Sequence, residues 1–521
     1  MIWLLLVMMF MALGIWIRMV GLETKVIHAD EATGAKIFSH FLELGVYEFN
    51  PKHFHGPMLT YLSYPFSLLF KEWSWEELSI SSLRSCAAAM GCLCLCIPIL
   101  WKRFLGARGV LAAVVLMASS PMLVTYSRTY IHEMILGFLS LAWVSCFVVC
   151  VKKRHLGLAL AGCLLGLMHG TKETFVISFG VWLIAGFLSY GLVFAEKGVL
   201  PWNAEDGGKD KAQKAQGQWR WGVLIFFLCF FVTSSFLYSH GFSGTSGIWH
   251  SWATYWNYET TMGHEKPWYH YLELLFWPKK SAGHWWQESS LALVLMVGGI
   301  MAVRYWRKGK NSFCFWAMFW WWSALGHMLA YSLISYKTPW LMVVPVLHMA
   351  MVAGFVIKDL EGRWRGLNVR TLAWIPLLII LILGFSQFQQ SRMAVFRLAN
   401  DIRYPYAYVP SSKDALRLKQ TIEGLSKMAK WNVDAPIAVV GREIWPIPWL
   451  LRGEKVGYWK RSEDLDGAGP IDVVIALGDE TEAINERYGE THTYMMIGLR
   501  NEVPMVCYIR QQLFDDWVDS K

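Results

Sequence analysis

The chain has 521 residues, 55% of them hydrophobic and only 17% charged. Soluble domains average about 25% charged residues, so the composition sets an ordinary soluble enzyme aside in favour of a membrane protein. The net charge of +9 does not imply a nucleic-acid partner, because the basic residues fall in short clusters between apolar stretches and no nucleic-acid motif is present.

In chain order, the first apolar stretch, Met1 to Val20, has neither a basic leader nor a small-x-small cleavage site and reads as a retained span. Taking about 20 apolar residues per crossing, about eleven stretches qualify. They begin near Ile2, Ile80, Gly109, Glu133, Leu156, Phe175, Gly222, Leu291, Phe313, Pro339 and Leu372. The expected fold is a mainly α-helical polytopic membrane protein with about eleven transmembrane helices. Lys102, Arg103 and Arg108 occupy one loop, Lys152, Lys153 and Arg154 the next of the same set, and Arg304, Arg307, Lys308 and Lys310 a later one. The intervening loops are poorer in Lys and Arg, so the positive-inside rule puts the basic set in the cytoplasm. Asp30, Glu31 and the C-terminal segment are then outside.

The first outer loop holds two predicted surface helices. One runs from Ala32 to Leu44, with apolar Ala35, Phe38, Phe41 and Leu42 and a stop at Gly45. The other begins at Pro57 and runs to Phe70. Ala204 to Gly217 reads as a polar cytoplasmic linker. The loop from His240 to Glu288 is rich in Trp, Tyr and His. After about Gln387 the chain changes character, which suggests a membrane domain over 1–390 and a small α/β extracytoplasmic domain over 391–521. Ser411 to Trp431 reads as a helix with Ser412 as its cap. Pro436 to Val440, Asp472 to Leu477 and Pro504 to Ile509 read as strands, and Asp479 to Tyr488 as a helix between strands. No phosphate-binding glycine loop or nucleophile motif appears there. Cys507 apart, the cysteines lie in or beside apolar stretches, and no disulfide framework follows.

Polar residues at a membrane surface are costly, and the pair Asp30–Glu31 within His28-Ala29-Asp30-Glu31 is the first candidate site. A carboxylate there can take a proton from an acceptor. Equally, Asp30 can cap the helix that follows. His53 and His55, with His132 or Asp30, form a weak candidate set for a divalent metal, for which no cofactor is certain. Arg84, Arg128, Lys172 and Lys337 stand at the outer ends of spans, where they can hold a lipid phosphate or reach headgroups. Glu133 opens a span and is either a second site carboxylate or a partner of the helix dipole. Trp256, Tyr258, Trp268 and Tyr269 can stack on a sugar or form an interfacial belt. Glu259 and His264 are further polar contacts in that loop.

His28-Ala29-Asp30-Glu31 followed by His55-Gly56-Pro57 resembles the Asp-Glu and His-Pro-Pro motifs of protein O-mannosyltransferases, members of the GT-C superfamily. Three further stretches resemble the archaeal and bacterial family named for association with flippase activity in protein N-glycosylation. They are Lys266-Pro267-Trp268-Tyr269-His270-Tyr271-Leu272, Tyr336-Lys337-Thr338-Pro339-Trp340-Leu341, and Trp445-Pro446-Ile447-Pro448-Trp449-Leu450-Leu451-Arg452.

The resemblance implies a GT-C-like enzyme of a prokaryotic plasma (inner) membrane. It would be an inverting transferase using a polyprenyl-phosphate-linked sugar, with Asp30 as base and Glu31 in support. His55, Arg84, Arg128, Glu133, Lys172 and Lys337 would bind substrate. The acceptor would be a glycan, lipid or protein, and membrane lipids the other partners. Gly56 replaces the first proline of the mannosyltransferase motif, so mannose and a Ser/Thr acceptor do not carry over. The alternative is a lipid-linked-sugar flippase, or a flippase-associated protein without transferase chemistry.

Overall fold

The structure, a computed structural model, describes all residues except 1, 53–54, 151–152, 195–208, 258–262, 309–310, 367–373, 433–435 and 467–470. The chain divides into two compact units. The first comprises Met1–Leu22, His40–Lys71 and Ser81–Arg397, and the second Glu23–Ser39, Glu72–Ile80 and Leu398–Lys521.

In chain order the helices up to the C-terminal segment are α1 (Ile2–Met19), α2 (Ala29–Leu44), α3 (Met58–Phe70), α4 (Ile80–Cys94), α5 (Ile97–Leu100), α6 (Lys102–Ser119), α7 (Pro121–Ser127), α8 (Glu133–Cys150) and α9 (Arg154–His169). Then come α10 (Phe175–Phe194), α11 (Lys209–Tyr238), α12 (Ser246–Asn257), α13 (His270–Phe276), the hairpin β1 (Lys279–Ser281) and β2 (His284–Trp286), α14 (Ser289–Lys308), α15 (Ser312–Leu333), α16 (Val343–Gly366) and α17 (Ile375–Phe396). The linker expected at Ala204 to Gly217 lies outside the described residues as far as 208, and from Lys209 the chain is helical.

Among the described residues, six helical stretches are long and apolar enough to cross a membrane: Ile2–Met19, Ile80–Leu100, Glu133–Cys150, Arg220–Tyr238, Ser289–Trp306 and Pro339–Trp364. A seventh is added if α6 and α7, bent by 61°, form one broken span. The expectation of about eleven transmembrane helices is corrected accordingly. The shortfall has local causes. α9 has only 16 residues. α15 is long enough at 22 residues, but Ser323 and His327 dilute it and both are buried. α17 carries Gln387, Gln389, Gln390, Ser391 and Arg392 in its second half. Polar side chains facing a bundle interior lower mean hydropathy without interrupting a helix.

The most apolar 18-residue window of the Pro339–Trp364 stretch is wholly buried, and α16 packs on α6, α8, α14 and α15. The approach to α6 is backbone-close: a Cβ at Gly354 would sit 2.9 Å from the Gly109 carbonyl oxygen. Small residues permit such crossings between membrane helices. The break between α6 and α7 falls at Ser120–Pro121. Pro121 has no N–H to donate and suits the first helical position, and the Ser120 hydroxyl caps the new helix by accepting the Leu123 N–H at 3.2 Å. The Ser120 hydroxyl in turn donates to Glu288 at 2.7 Å, and the Met122 N–H donates to the same carboxylate oxygen at 3.0 Å. Burial pushes the Glu288 carboxyl up to about 7, against the pull of those two bonds.

The second unit contains a five-stranded mixed sheet in the order β4-β3-β5-β7-β6, formed by β3 (Ile437–Val440), β4 (Val456–Trp459), β5 (Val473–Leu477), β6 (His492–Arg500) and β7 (Val503–Arg510). β4, β3 and β5 run parallel, and β7 runs antiparallel to both of its neighbours, β5 and β6. β3 and β5 are buried along their whole length, which explains their unbroken Val/Ile/Ala/Leu sequences. α18 (Leu416–Leu425), α19 (Ile447–Leu450), α20 (Glu480–Tyr488) and α21 (Gln511–Asp519) complete the unit. Ser412 does cap, but the turn it caps is a 3₁₀ segment, Lys413–Ala415, ahead of α18.

Candidate functional site

In the second unit, the start of α2 is organised by its own first residues. Glu31 is buried, and its Oε2 accepts the His28 backbone N–H at 2.9 Å. The His28 ring returns the favour, Nδ1 accepting the Asp30 N–H at 3.1 Å. This is a capping box with histidine in place of serine. The cap is thus His28 rather than Asp30. Accepting through Nδ1 requires a neutral ring, and burial does lower the His28 pKa, outweighing the attraction of Asp30. The Asp30 side chain, 3.7 Å from His28 Nδ1, remains 56% exposed. One carboxylate of the pair is spent on the fold while the other faces outward.

In the first unit, several predicted residues converge. Lys172 Nζ donates to Glu133 Oε1 at 2.6 Å, both side chains being buried. The neighbouring Glu173 meets His55, Oε2 to Nδ1, at 2.9 Å. The His55 and His132 rings pack edge to face with centroids 5.0 Å apart. Burial raises the Glu173 carboxyl, but the charge and hydrogen bond of His55, with Lys172, outweigh it and leave the group at about 2. Burial, then His55 and Lys172, hold His132 well below its ordinary value. Two carboxylates, one ammonium and two imidazoles thus gather at the start of α8, the turn before α10 and the approach to α3. His53 lies outside the described residues. Among the described residues no three His, Cys, Asp or Glu side chains converge as a metal-ligand set.

Gly56 is a packing requirement of this cluster. A Cβ on it would clash with the Gly170 carbonyl and lie 2.8 Å from the Tyr238 hydroxyl. The adjacent Met58 N–H donates to Gly170 at 2.8 Å. Backbone touches backbone here, so a proline at 56 would not fit.

The remaining predicted cations point at carbonyl groups. Arg128 donates to the carbonyls of Ile17, Arg18 and Val20 at 3.0, 3.1 and 2.7 Å, and to that of Gly21. Arg84 donates to Leu22 at 2.6 Å. Both therefore hold the C-terminal end of α1 and the turn after it. Lys337 Nζ donates to the Ile334 carbonyl at the end of α15. Of the aromatic loop, Tyr258 and Glu259 lie outside the described residues, whereas Trp256 and Trp268 are exposed. His264 accepts the Lys337 N–H through its carbonyl at 2.9 Å, Lys266 donates to Ser335 at 3.1 Å, and the Tyr271 hydroxyl donates to the Thr338 carbonyl at 3.0 Å. The stretches Lys266–Leu272 and Tyr336–Leu341, far apart in sequence, are thereby joined. In the second unit Trp449 packs edge-on against Trp75, and Arg452 lies 4.0 Å over the Trp449 ring. Sequence reasoning missed Glu173 as a site residue and Glu288 altogether. The signal for Glu173 was its adjacency to Lys172; Glu288 had none beyond its place at the edge of an apolar run.

Two outcomes follow. Lys172→Met strips Glu133 of its buried ammonium and is expected to cost about 3–5 kcal/mol, read as a lowered melting midpoint. Adding Glu133→Gln to that variant should recover much of the loss; a double variant no better than the single one would contradict the pairing. The neutral His28 cap contributes stability that is fully present above the ordinary histidine pKa near 6.5 and is lost as pH falls towards its lower folded value. Between pH 7.5 and 5.5 the wild type should therefore lose more melting temperature than His28→Asn, which caps without titrating. Equal losses would contradict the neutral cap.

No family model matches the chain, and no curated protein matches it by sequence. Solved structures do. The apo crystal structure of ArnT from Cupriavidus metallidurans aligns with a TM-score of 0.62 at 14% identity, over 96% of this chain and 97% of that one. The same protein bound to undecaprenyl phosphate gives 0.61 at 13% identity, with the same coverage. The apo oligosaccharyltransferase of Archaeoglobus fulgidus gives 0.56 at 10% identity, over 91% of this chain and 69% of that one. At these identities the likeness is one of fold alone: over nearly its whole length the chain has the fold of ArnT from Cupriavidus metallidurans.

Proposed function

We propose that the chain is an inverting membrane glycosyltransferase that moves a sugar from a polyprenyl-phosphate donor to a hydroxyl-bearing acceptor. The observation that carries this reading is the likeness, over 96% of the chain, to a protein solved with undecaprenyl phosphate bound. The three stretches that resemble the flippase-associated family of N-glycosylation pathways support the same lipid-linked context.

The chemistry asks for a base, a cation and a dry reacting centre. Asp30 is the proposed base, since its carboxylate is exposed while Glu31 is committed to the cap. It takes the acceptor O–H proton. The oxygen bonds to the anomeric carbon from the face opposite the phosphate, and the carbon–oxygen bond to the phosphate breaks. The electron pair leaves with the polyprenyl phosphate. Lys172, held by Glu133, is proposed as a phosphate-binding cation of the first unit, with His55 and Glu173 as polar neighbours. Arg84, Arg128 and Lys337 hold carbonyl groups in the same unit and are proposed to keep the donor-binding region in shape.

The flippase reading is favoured by one observation, the 61° break between α6 and α7 beside buried Glu288. Broken helices and buried carboxylates are features of transporters. Transferase chemistry nonetheless makes the sharper prediction. Asp30→Asn keeps the side chain's shape and removes its basicity. It should leave expression, membrane insertion and melting unchanged and lower transfer by about 10²–10⁴-fold, measured with a polyprenyl-phosphate sugar and membrane-derived acceptor. Near-normal turnover in Asp30→Asn would reject the assignment.

A further inference from the structure

The sheet of the second unit is covered unevenly. α20 packs through Ile484 against a cluster that includes Val474, Ala476, Val506 and Tyr508, on β5 and β7. The edge strand β6 lies beyond them. On it Tyr494 and Met496, two residues apart and so on one face, are 60% and 64% exposed. Antiparallel pairing sets Tyr494 beside Tyr508 and Met496 beside Val506, with the two tyrosine rings 6.2 Å apart. The strip left open forms one wall of a cleft of about 450 Å³.

The opposite wall is polar. Asp479, Glu482 and Asn485 line it, and their three-residue spacing puts them on one side of α20. Asp479 occupies the N-cap position of α20, yet its carboxylate caps no backbone N–H. Among the described residues, no Lys, Arg or His lines the cleft. The cleft therefore combines an exposed aromatic ring and an apolar thioether with hydrogen-bonding groups that the unit's own fold does not require.

We propose that this cleft is a carbohydrate-binding site. A pyranose has an apolar C–H face and a rim of hydroxyls. The first matches the Tyr494 ring and Met496, and the second matches Asp479, Glu482 and Asn485, which accept from hydroxyls or, for the amide, donate to them. The volume lies within the range of about 300–1,000 Å³ usual for small-molecule sites. Charge narrows the class. Two carboxylates, with no cation among the described lining residues, repel phosphate, sulfate and uronate groups, so acidic glycans are excluded and the proposed ligand is an uncharged one. The site uses neither Asp30 nor a lipid donor, so it goes beyond the transfer reading and can fail separately from it.

The test is saturation-transfer-difference NMR on the full chain, purified in a detergent without a sugar headgroup, with a panel of neutral, N-acetylated and uronate-bearing oligosaccharides. At least one uncharged oligosaccharide should receive saturation, and the uronates should not. Tyr494→Ala should weaken that binding by about tenfold, and Tyr494→Trp should retain it. Because Tyr494 is exposed, its melting curve should match the wild type, and Asn485→Ala provides a second reduction in affinity from the other wall. Absence of binding by every uncharged oligosaccharide, equal binding of uronates, or binding untouched by Tyr494→Ala would each overturn the proposal.

Discussion

Three buried arginines converge on the C-terminal half of α1, and the first unit depends on how they are satisfied. Arg18 donates to Ser127 at 3.1 Å and to the carbonyls of Gly14, Ala118 and Met117. Arg128 and Arg84 take the carbonyls of Ile17, Arg18, Val20, Gly21 and Leu22. A helix end leaves four carbonyls without intrahelical partners, and in an apolar surrounding each must find one. Guanidinium groups supply several donors in a fixed fork. The same rule governs the cluster at α8, where Lys172 answers Glu133 and His55 answers Glu173. Buried charge is tolerated in this unit where it is paired.

Backbone proximity is the second constraint. Gly56 against Gly170 and Gly109 against Gly354 leave no room for a side chain. The first of these gives a physical reason for the departure from the His-Pro-Pro motif. Glycine stands at 56 because the segment carrying His55 is pressed against the turn carrying Lys172 and Glu173. The second unit uses a different economy at the start of α2, where His28 and Glu31 close the helix end and Asp30 is released from capping.

Much of this was legible in the chain itself. The Pro57 start, the Gly45 stop, which has φ of 68°, and the strands at 437–440, 473–477 and 503–510 all follow from local signals. β6 did not announce itself because Tyr494 to Ile497 is an apolar run without alternation, broken by Gly498, and β4 is a short, half-buried edge. The span count failed for a different reason. Apolar runs were read as crossings, yet α9, α15 and α17 are too short or too polar to qualify on length and composition. The pairing of Lys172 with Glu133, and of His55 with Glu173, joins elements far apart in sequence, and periodicity carries no information about such contacts. Glu288 is a buried acid set against a helix break more than 160 residues away in the chain.

These constraints bear on the proposed function through a single question: whether a lipid-linked sugar is cleaved or only carried. The exposed Asp30 carboxylate beside its helix cap suits the proposed cleavage, since it needs no rearrangement to become available as a base. The decisive measurement is the stoichiometry of products after reconstitution in sealed vesicles with a labelled polyprenyl-phosphate sugar and an acceptor fraction. The account predicts free polyprenyl phosphate appearing mole for mole with glycosylated acceptor. A lipid-linked sugar that crosses the bilayer with its sugar–phosphate bond intact, and no labelled acceptor, would contradict it.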